Sequence, residues 1–187
     1  MRIIFLLFLC IPIIGCSSAR KLSKDFSGKV STINTAFEGE YYSNKPAEIK
    51  QRFTVKEYTL WDFLSFYRSD IDSTEKIPDD AIIRLTFQPD SYLEVTAFKG
   101  NDKLSSFSIS TRKEGNYLYL KKNRSMVPIP VVYFQIKEDI SFLAPLDNNR
   151  LGIMNYNDNT LWILFFGASN TGRTIEEYER ISYDSLY

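Results

Sequence analysis

Two groups of residues in this sequence could take part in covalent or acid–base chemistry: the thiol of Cys16 and the carboxylates of Glu38 and Glu40. Cys16 stands directly behind an apolar run, residues 3–14, which suits modification at a membrane better than catalysis. The two carboxylates occupy one face of a predicted strand about 7 Å apart, a separation that glycosidases also use. Nothing else in the sequence supports a sugar site, so we expect no enzymatic activity.

The first sixteen residues resemble the signal peptide and lipobox of bacterial lipoproteins. Arg2 provides the positive start, and the apolar run reaches roughly 18 Å as a helix, too short for a hydrocarbon core of about 30 Å. The box itself reads Ile13-Ile14-Gly15-Cys16. The resemblance implies cleavage between Gly15 and Cys16, a diacylglycerol on the Cys16 thiol and an N-acyl chain, such as palmitate, on the new amino group. The alternative is an ordinary cleaved signal peptide with an incidental cysteine.

The residues behind Cys16 bear on where such a lipoprotein would reside. Ser17 follows the cysteine, with no aspartate and no acidic cluster behind it. In the lipoproteins that this chain resembles, that pattern favours the outer membrane, with the domain facing the periplasm. The membrane is then a partner through the lipid anchor, and the choice of leaflet stays open.

Several kinds of site are excluded by composition. The sequence contains no histidine, Cys10 would be removed with the signal peptide, and Cys16 would carry the lipid. These absences argue against Cys/His zinc sites, haem held by histidine and the nucleophilic triads that need histidine. A net charge of zero gives no attraction to nucleic acid. We therefore expect no metal, no cofactor beyond the covalent lipid and no nucleic-acid partner.

The remaining chain is predicted to be one folded domain behind a tether. Residues 1–15 form the removed signal peptide, residues 16–35 the lipidated N-terminus and a flexible tether, and residues 36–187 a single domain. An apolar content of 44%, with 15% aromatic residues, suffices for one core.

The fold class is predicted to be mainly β, an antiparallel up-and-down meander of eight or nine strands. The alternation is clearest where Leu93 and Val95, and then Phe107 and Ile109, interleave with polar residues. The expected strands are residues 37–42, 53–58, 82–87, 92–98, 104–112, 117–122, 131–143, 151–156 and 161–166, with a bulge at 137–139 and a turn at 157–159.

Two helices are predicted. Leu60, Phe63, Leu64 and Tyr67 share one face of a short helix near 60–68, which could plug or cover one end of the sheet. The sequence from Thr174 to Glu177 fits a capping box and predicts a C-terminal helix near 174–183, packed on the outside of strand 161–166.

The order of elements resembles the lipocalin-like, or calycin, barrels of small bacterial lipoproteins. Gly39-Glu40-Tyr41 stands where lipocalins carry glycine-any-tryptophan, with tyrosine as a departure. A barrel removes exposed strand edges, and a flattened β-sandwich is the alternative. In a barrel, Leu93, Val95, Phe107 and Ile109 would point inward and bind a small apolar ligand or lipid. Alternatively the core is filled, and the domain is a structural or interaction protein of the envelope.

Overall fold

The computed structural model describes residues 18–31, 37–51, 58–68, 76–88, 91–129, 133–163 and 166–182. Within these ranges the chain forms ten strands and two short helices, α1 (Ala19–Leu22) and α2 (Leu60–Ser65), with a 3₁₀ turn at Ser23–Asp25. The strands are β1 (Glu38–Ser43), β2 (Glu48–Gln51), β3 (Ile82–Gln88), β4 (Tyr92–Lys99), β5 (Asp102–Ser110), β6 (Arg112–Glu114), β7 (Tyr117–Ile129), β8 (Tyr133–Pro145), β9 (Arg150–Ile163) and β10 (Phe166–Ile181).

The strands form one antiparallel sheet in the order β5-β4-β3-β1-β10-β9-β8-β7-β6, with β2 also paired to β10. The predicted mainly β, antiparallel meander is confirmed, with ten strands instead of eight or nine. The sheet is not closed into a barrel, because its edge strands β5 and β6 do not pair with each other. Only Thr111 separates β5 from β6 in the sequence. The shortest common hairpin loops have two residues, so this connection is too short for the two strands to pair as a hairpin.

The inner face of the sheet encloses the larger core. Leu93 and Val95 on β4 lie opposite Ile109 and Phe107 on β5, and α2 packs against them. The predicted helix at 60–68 is therefore confirmed, over the shorter span of α2. Thr59 caps it, since its side chain accepts a hydrogen bond from the backbone N–H of Asp62.

A second core lies on the outer face of β8–β10, under the N-terminal segment. Ala19, Leu22 and Phe26 are buried there, and the Phe26 ring meets Phe142 edge-on, with 6.2 Å between the ring centres. Residues 18–31 belong to the range that we expected to be a flexible tether. They pack on the sheet instead, because their apolar side chains, spaced three and four apart, cover an apolar face.

The predicted C-terminal helix near 174–183 is wrong, because residues 174–181 are the second half of β10. Their backbone pairs with β9 on one side and with β2 on the other. Ile175 belongs to the outer core and Tyr178 to the inner core. A three-residue spacing of apolar side chains, typical of a helix, here serves a strand that is buried on both faces.

The long strands β7–β10 also differ from three expectations: a turn, a strand end and a bulge. Asn157–Asn159, expected as a turn, continues β9, and the expected strand 161–166 spans the end of the β9–β10 hairpin. The register shift lies between Tyr119 and Lys121 on β7, not at 137–139. Beyond the two cores these strands continue as a four-stranded ribbon, residues 121–129, 133–139, 155–163 and 166–173.

Two expectations lie largely or wholly outside the described residues. The first is the signal peptide with its lipobox, and the second is the run 53–58, of which Tyr58 alone is described. In the described ranges, no helix has both the length and the apolar character needed to cross a membrane.

Candidate functional site

The four residues predicted to bind an apolar ligand lie together, inside packed protein. Leu93, Val95, Phe107 and Ile109 are all buried. The Trp61 ring of α2 stands edge-on to Phe107, with 4.6 Å between ring centres. None of the four lines the cavity beside β1 or a smaller one next to it.

The larger cavity, of about 640 Å³, opens where β1 lies between β3 and β10. Strand β1 places Glu38, Gly39, Glu40 and Tyr41 along it, which includes both carboxylates noted in the sequence. The other strands and one turn contribute Arg84 from β3, Arg180 and Ile181 from β10, Ser182, and Asn149 before β9. We call this set the β1 cavity.

A bulge at Gly39 determines how the two carboxylates are presented. Gly39 has φ +103°, and the pairing register shifts there, so that Glu38 lies opposite Thr86 and Glu40 opposite Leu85. Thr86 and Leu85 are consecutive on β3 and point to opposite faces of the sheet. The expectation that Glu38 and Glu40 share one strand face is therefore wrong, although both border the β1 cavity.

Glu40 is the electrostatically unusual group of the cavity. Its side chain is 10% exposed, and its Oε1 lies 3.8 Å from Nη2 of Arg180. Burial raises the pKa of Glu40 above its ordinary value, a rise that backbone hydrogen bonds and the Arg180 charge partly oppose. Burial, and the neighbouring Glu40 charge, also raise the pKa of Tyr42.

Two polar atoms at the cavity are buried without a hydrogen-bond partner: Oε2 of Glu40 and Nε of Arg84. One is an acceptor and the other a donor, and both cost free energy while they are unmatched. The Arg84 guanidinium also lies 5.6 Å from the centre of the Tyr41 ring. By the same register, Arg84 shares the face of Glu38, so a polar molecule that both accepts and donates hydrogen bonds could meet the Glu38 carboxylate and the Arg84 guanidinium in the cavity.

No group of three or more histidine, cysteine, aspartate or glutamate side chains that could hold a metal occurs within the described residues. The acid–base candidates at the cavity are the two carboxylates, on opposite faces of β1, and the Tyr41 phenol. This arrangement offers binding contacts and no evident pair of catalytic carboxylates.

Arg84, Arg180 and Asn149 are the residues of the cavity that the sequence did not point to. In the sequence, Arg84 has the position of an ordinary residue on the polar face of a strand. Arg180 lies in the segment that we expected to be the C-terminal helix. The one usable signal was Glu38-Gly39-Glu40, because a glycine between two polar residues of a strand often marks a bulge. Gly15 and Cys16 of the lipobox lie outside the described residues.

Comparison with known proteins leaves fold and site to be judged on their own geometry: no family model, no curated protein and no solved structure matches this chain.

Proposed function

We propose that this chain is a lipid-anchored, non-enzymatic protein of the bacterial cell envelope that acts through its surface and carries no ligand in its core. The lipobox Ile13-Ile14-Gly15-Cys16 supports the anchor. Ser17 supports an outer-membrane position, with the domain facing the periplasm. Of the two functions that the sequence left open, this is the structural or interaction protein.

The filled inner core is the observation that carries this proposal over carriage of an apolar ligand. Leu93 and Val95 are 0% exposed, and Ile109 is 1% exposed. Helix α2 contributes Trp61 and Leu64 to the same core, where they occupy the space that a ligand would need. Protein cores are packed as densely as organic crystals, and the burial of these side chains supports an interior without room for a molecule of lipid size.

Native mass spectrometry of the protein released from membranes tests the filled core. We expect the mass of the lipidated polypeptide alone and no binding of the apolar fluorophore N-phenylnaphthylamine. Trp61→Ala should open a cavity and bind the fluorophore, whereas Phe66→Ala, at an exposed position just behind α2, should not. An apolar molecule that co-purifies with the unaltered protein would restore the carrier hypothesis.

The anchor is tested by Cys16→Ser. We expect the variant to leave the membrane fraction or to accumulate as an uncleaved precursor, because serine cannot form the thioether. A correctly cleaved variant that stays with the membranes would contradict the proposed anchor.

The β1 cavity supports a second candidate function, binding of a small polar, hydroxylated molecule such as a saccharide. Hydroxyl groups both donate and accept hydrogen bonds, which suits the Glu38 carboxylate and the Arg84 guanidinium that line this cavity. Titration with a neutral disaccharide, diacetylchitobiose, should shift the Arg84 Nε–H resonance in nitrogen-15 NMR spectra. Arg84→Lys should abolish binding and the exposed Arg112→Lys should preserve it. An unchanged Arg84 resonance would rule out this class of ligand.

A further inference from the structure

The end of the four-stranded ribbon exposes an unusual number of large apolar side chains. Met126 and Val127 on β7, Trp162 and Ile163 on β9, and Phe166 on β10 are exposed, Phe166 by 80%. We call these five residues the apolar tip. Soluble proteins rarely leave so many large apolar side chains together in water unless the surface binds something.

The strand register places these residues at one end of the molecule. Ile163 pairs with Phe166 across the hairpin and with Tyr133 on β8. One row back, the Trp162 ring lies over Gly167, where an added Cβ would come within 2.9 Å of it. By this register Val127, Ile163 and Phe166 lie on one face of the ribbon and Met126 and Trp162 on the other, so both faces are apolar near this end.

The charge pattern behind the tip suits a bilayer surface better than a protein groove. The two hairpin ends, residues 125–136 and 159–170, contain no charged residue. From Asn159 to Ile163 this uncharged stretch is roughly 13 Å long, and interfacial elements enter a membrane by about 5–10 Å. Lys137, which is exposed, is the first charged residue behind it, at the level where anionic headgroups would lie. The next row sets Arg124 beside Glu138 and Asp158.

The N-terminal segment, residues 18–31, runs along the outer face of this sheet. It leads from the ribbon towards the end of the strands that carries the two cores, which we call the base. Near its start, the Leu22 carbonyl accepts a hydrogen bond from Arg173, 3.2 Å away. Further along, Ser27 donates its backbone N–H to Glu177, and the backbone N–H of Ser31 reaches Pro145. Since β10 runs from tip to base, Leu22 lies nearer to the apolar tip than Ser27 and Ser31 do.

The lengths allow the lipid and the tip to reach the same bilayer. Arg173 and Phe166 are seven strand positions apart, about 23 Å. Helix α1 spans about 6 Å, and the three residues from Cys16 to Ala19 span at most about 10 Å. A lipid on Cys16 can therefore lie most of the way along the ribbon towards the tip.

We propose that the apolar tip enters the interface of the bilayer that holds the Cys16 lipid, so that the domain is attached to the membrane at two points. This inference depends on the proposed lipid anchor. Tryptophan is well suited to such an interface because its ring is apolar and its N–H is polar. The second contact holds the ribbon against the membrane and turns the β1 cavity and α2, at the other end of the strands, towards the aqueous side.

The test uses the lipidated protein in vesicles of phosphatidylethanolamine and phosphatidylglycerol with brominated acyl chains. We expect the bromine to quench tryptophan fluorescence. Trp162→Phe should lose this quenching, because the remaining tryptophan, Trp61, is 2% exposed in the core. Phe166→Asp should also lose the quenching of Trp162 while the protein stays with the vesicles. The matched variant Phe66→Asp, at an exposed site outside the tip, should retain it.

The outcomes separate this inference from the anchor on which it depends. Mass spectrometry of the same sample reports whether Cys16 carries lipid, so an unlipidated sample contradicts the proposed function. Lipidated, vesicle-bound protein with unquenched Trp162 overturns the two-point attachment. Trp162 emission that is shifted to the blue without quenching overturns it as well, because it would assign the tip to a protein partner or a second copy.

Discussion

Glu177 is the residue that ties the N-terminal segment to the sheet. Its carboxylate is 1% exposed and accepts the backbone N–H of Ser27, 2.6 Å away, together with the Ser27 hydroxyl. Nη1 of Arg150 lies 3.2 Å from the same carboxylate and 3.0 Å from Glu48. Glu177 thereby raises the pKa of Arg150, with Glu48 adding to the effect. A buried charge that accepts from three donor groups is costly to alter.

We predict that Glu177→Gln loosens the N-terminal segment. The amide keeps one acceptor but directs N–H groups at other donors, so we expect a loss of about 2 kcal/mol. Urea unfolding of the mature protein in detergent measures this loss. Trypsin, which cuts after Arg20 and Lys21, should act on the native variant roughly tenfold faster or more, because the segment opens more often.

Glu179→Gln is the matched control for this prediction. It makes the same change of charge two positions along β10 at an exposed site, and it should alter the stability by less than about 0.5 kcal/mol. Equal trypsin rates for Glu177→Gln and the unaltered protein would show that the segment is held by its apolar contacts alone.

Glu40 predicts a pH dependence of stability. Burial raises its pKa above the ordinary value of 4.5, so between these two values the folded state holds more protons than the unfolded state. The free energy of unfolding should therefore fall as the pH rises from about 4.5 through the raised pKa. Glu40→Gln should remove this fall and be more stable than the unaltered protein at neutral pH.

Urea unfolding between acid and neutral pH measures the effect as a difference between two curves. Glu38→Gln, at an exposed carboxylate on the same cavity, should keep this fall, because burial is the largest cause of the raised pKa of Glu40 and the Glu38 charge only adds to it. If Glu40→Gln instead lost stability at neutral pH, the ion pair with Arg180 would outweigh burial.

At the scale of the element, the bulge in β1 depends on glycine. Gly39 has φ +103°, and a Cβ there would come within 2.9 Å of the Arg84 guanidinium. We predict that Gly39→Ala costs about 2 kcal/mol or more, since both backbone and neighbour must shift. Gly100→Ala provides the comparison, because φ is +57° and nothing lies within 4 Å. It should cost about 1 kcal/mol, and equal urea-unfolding losses would mean that the bulge can relax.

Helix α2 and strand β10 show what the sequence could and could not predict. Leu60, Phe63 and Leu64 repeat with a helical period on one side and meet one core, so the pattern predicts the helix. Ile175 and Tyr178 show a similar spacing, yet they face two different cores from one strand. The outer core that accounts for them depends on an N-terminal segment distant in the chain, which local pattern does not reveal.

The polar residues of the ribbon also show that a local sequence pattern does not reveal contacts with distant segments. Asn157 and Asn159 favour turns, but here their side chains bond across the strands, Asn157 to Asp139 and Asn159 to Gln135. Thr160 donates to Ser169 on β10 in the same way. Cross-strand pairs stabilise a sheet whatever the local preference. The sequence indicated only part of the β1 cavity for a related reason. Its two carboxylates are close together in the sequence, whereas its arginines come from two other strands.

At the scale of the whole molecule, β8–β10 serve two cores at one end and none at the other. Near the base, Phe142, Met154 and Ile175 are buried under the N-terminal segment, while Leu143 and Ile153 face the inner core. In the ribbon, Glu138 is the one buried residue among those whose side chains are described. The same strands therefore pass from a fully covered sheet to one that is solvated on both faces.

This change along the strands predicts a gradient of hydrogen exchange. Amides near Phe142, Met154 and Ile175 should exchange on the order of tenfold or more slowly than amides near Lys137, Asn159 and Asn170 in the same strands. Both ends have complete backbone pairing, so the difference must come from burial, which sets the free energy of local opening. Exchange followed by mass spectrometry on the full protein, with peptides that divide each strand, measures it.

Vesicles provide the internal comparison for the same measurement. With the lipidated protein bound, exchange near Trp162 and Phe166 should slow, because the tip leaves water, while exchange near Phe142 and Met154 should not change. Uniform slowing along the strands would indicate general stabilisation of the fold instead. In the absence of vesicles, the amides near Phe142 and Met154 could instead exchange as fast as those of the ribbon. This would mean that the N-terminal segment does not cover the outer core in solution. That result would also remove the evidence that Cys16 and the apolar tip lie on the same side of the molecule.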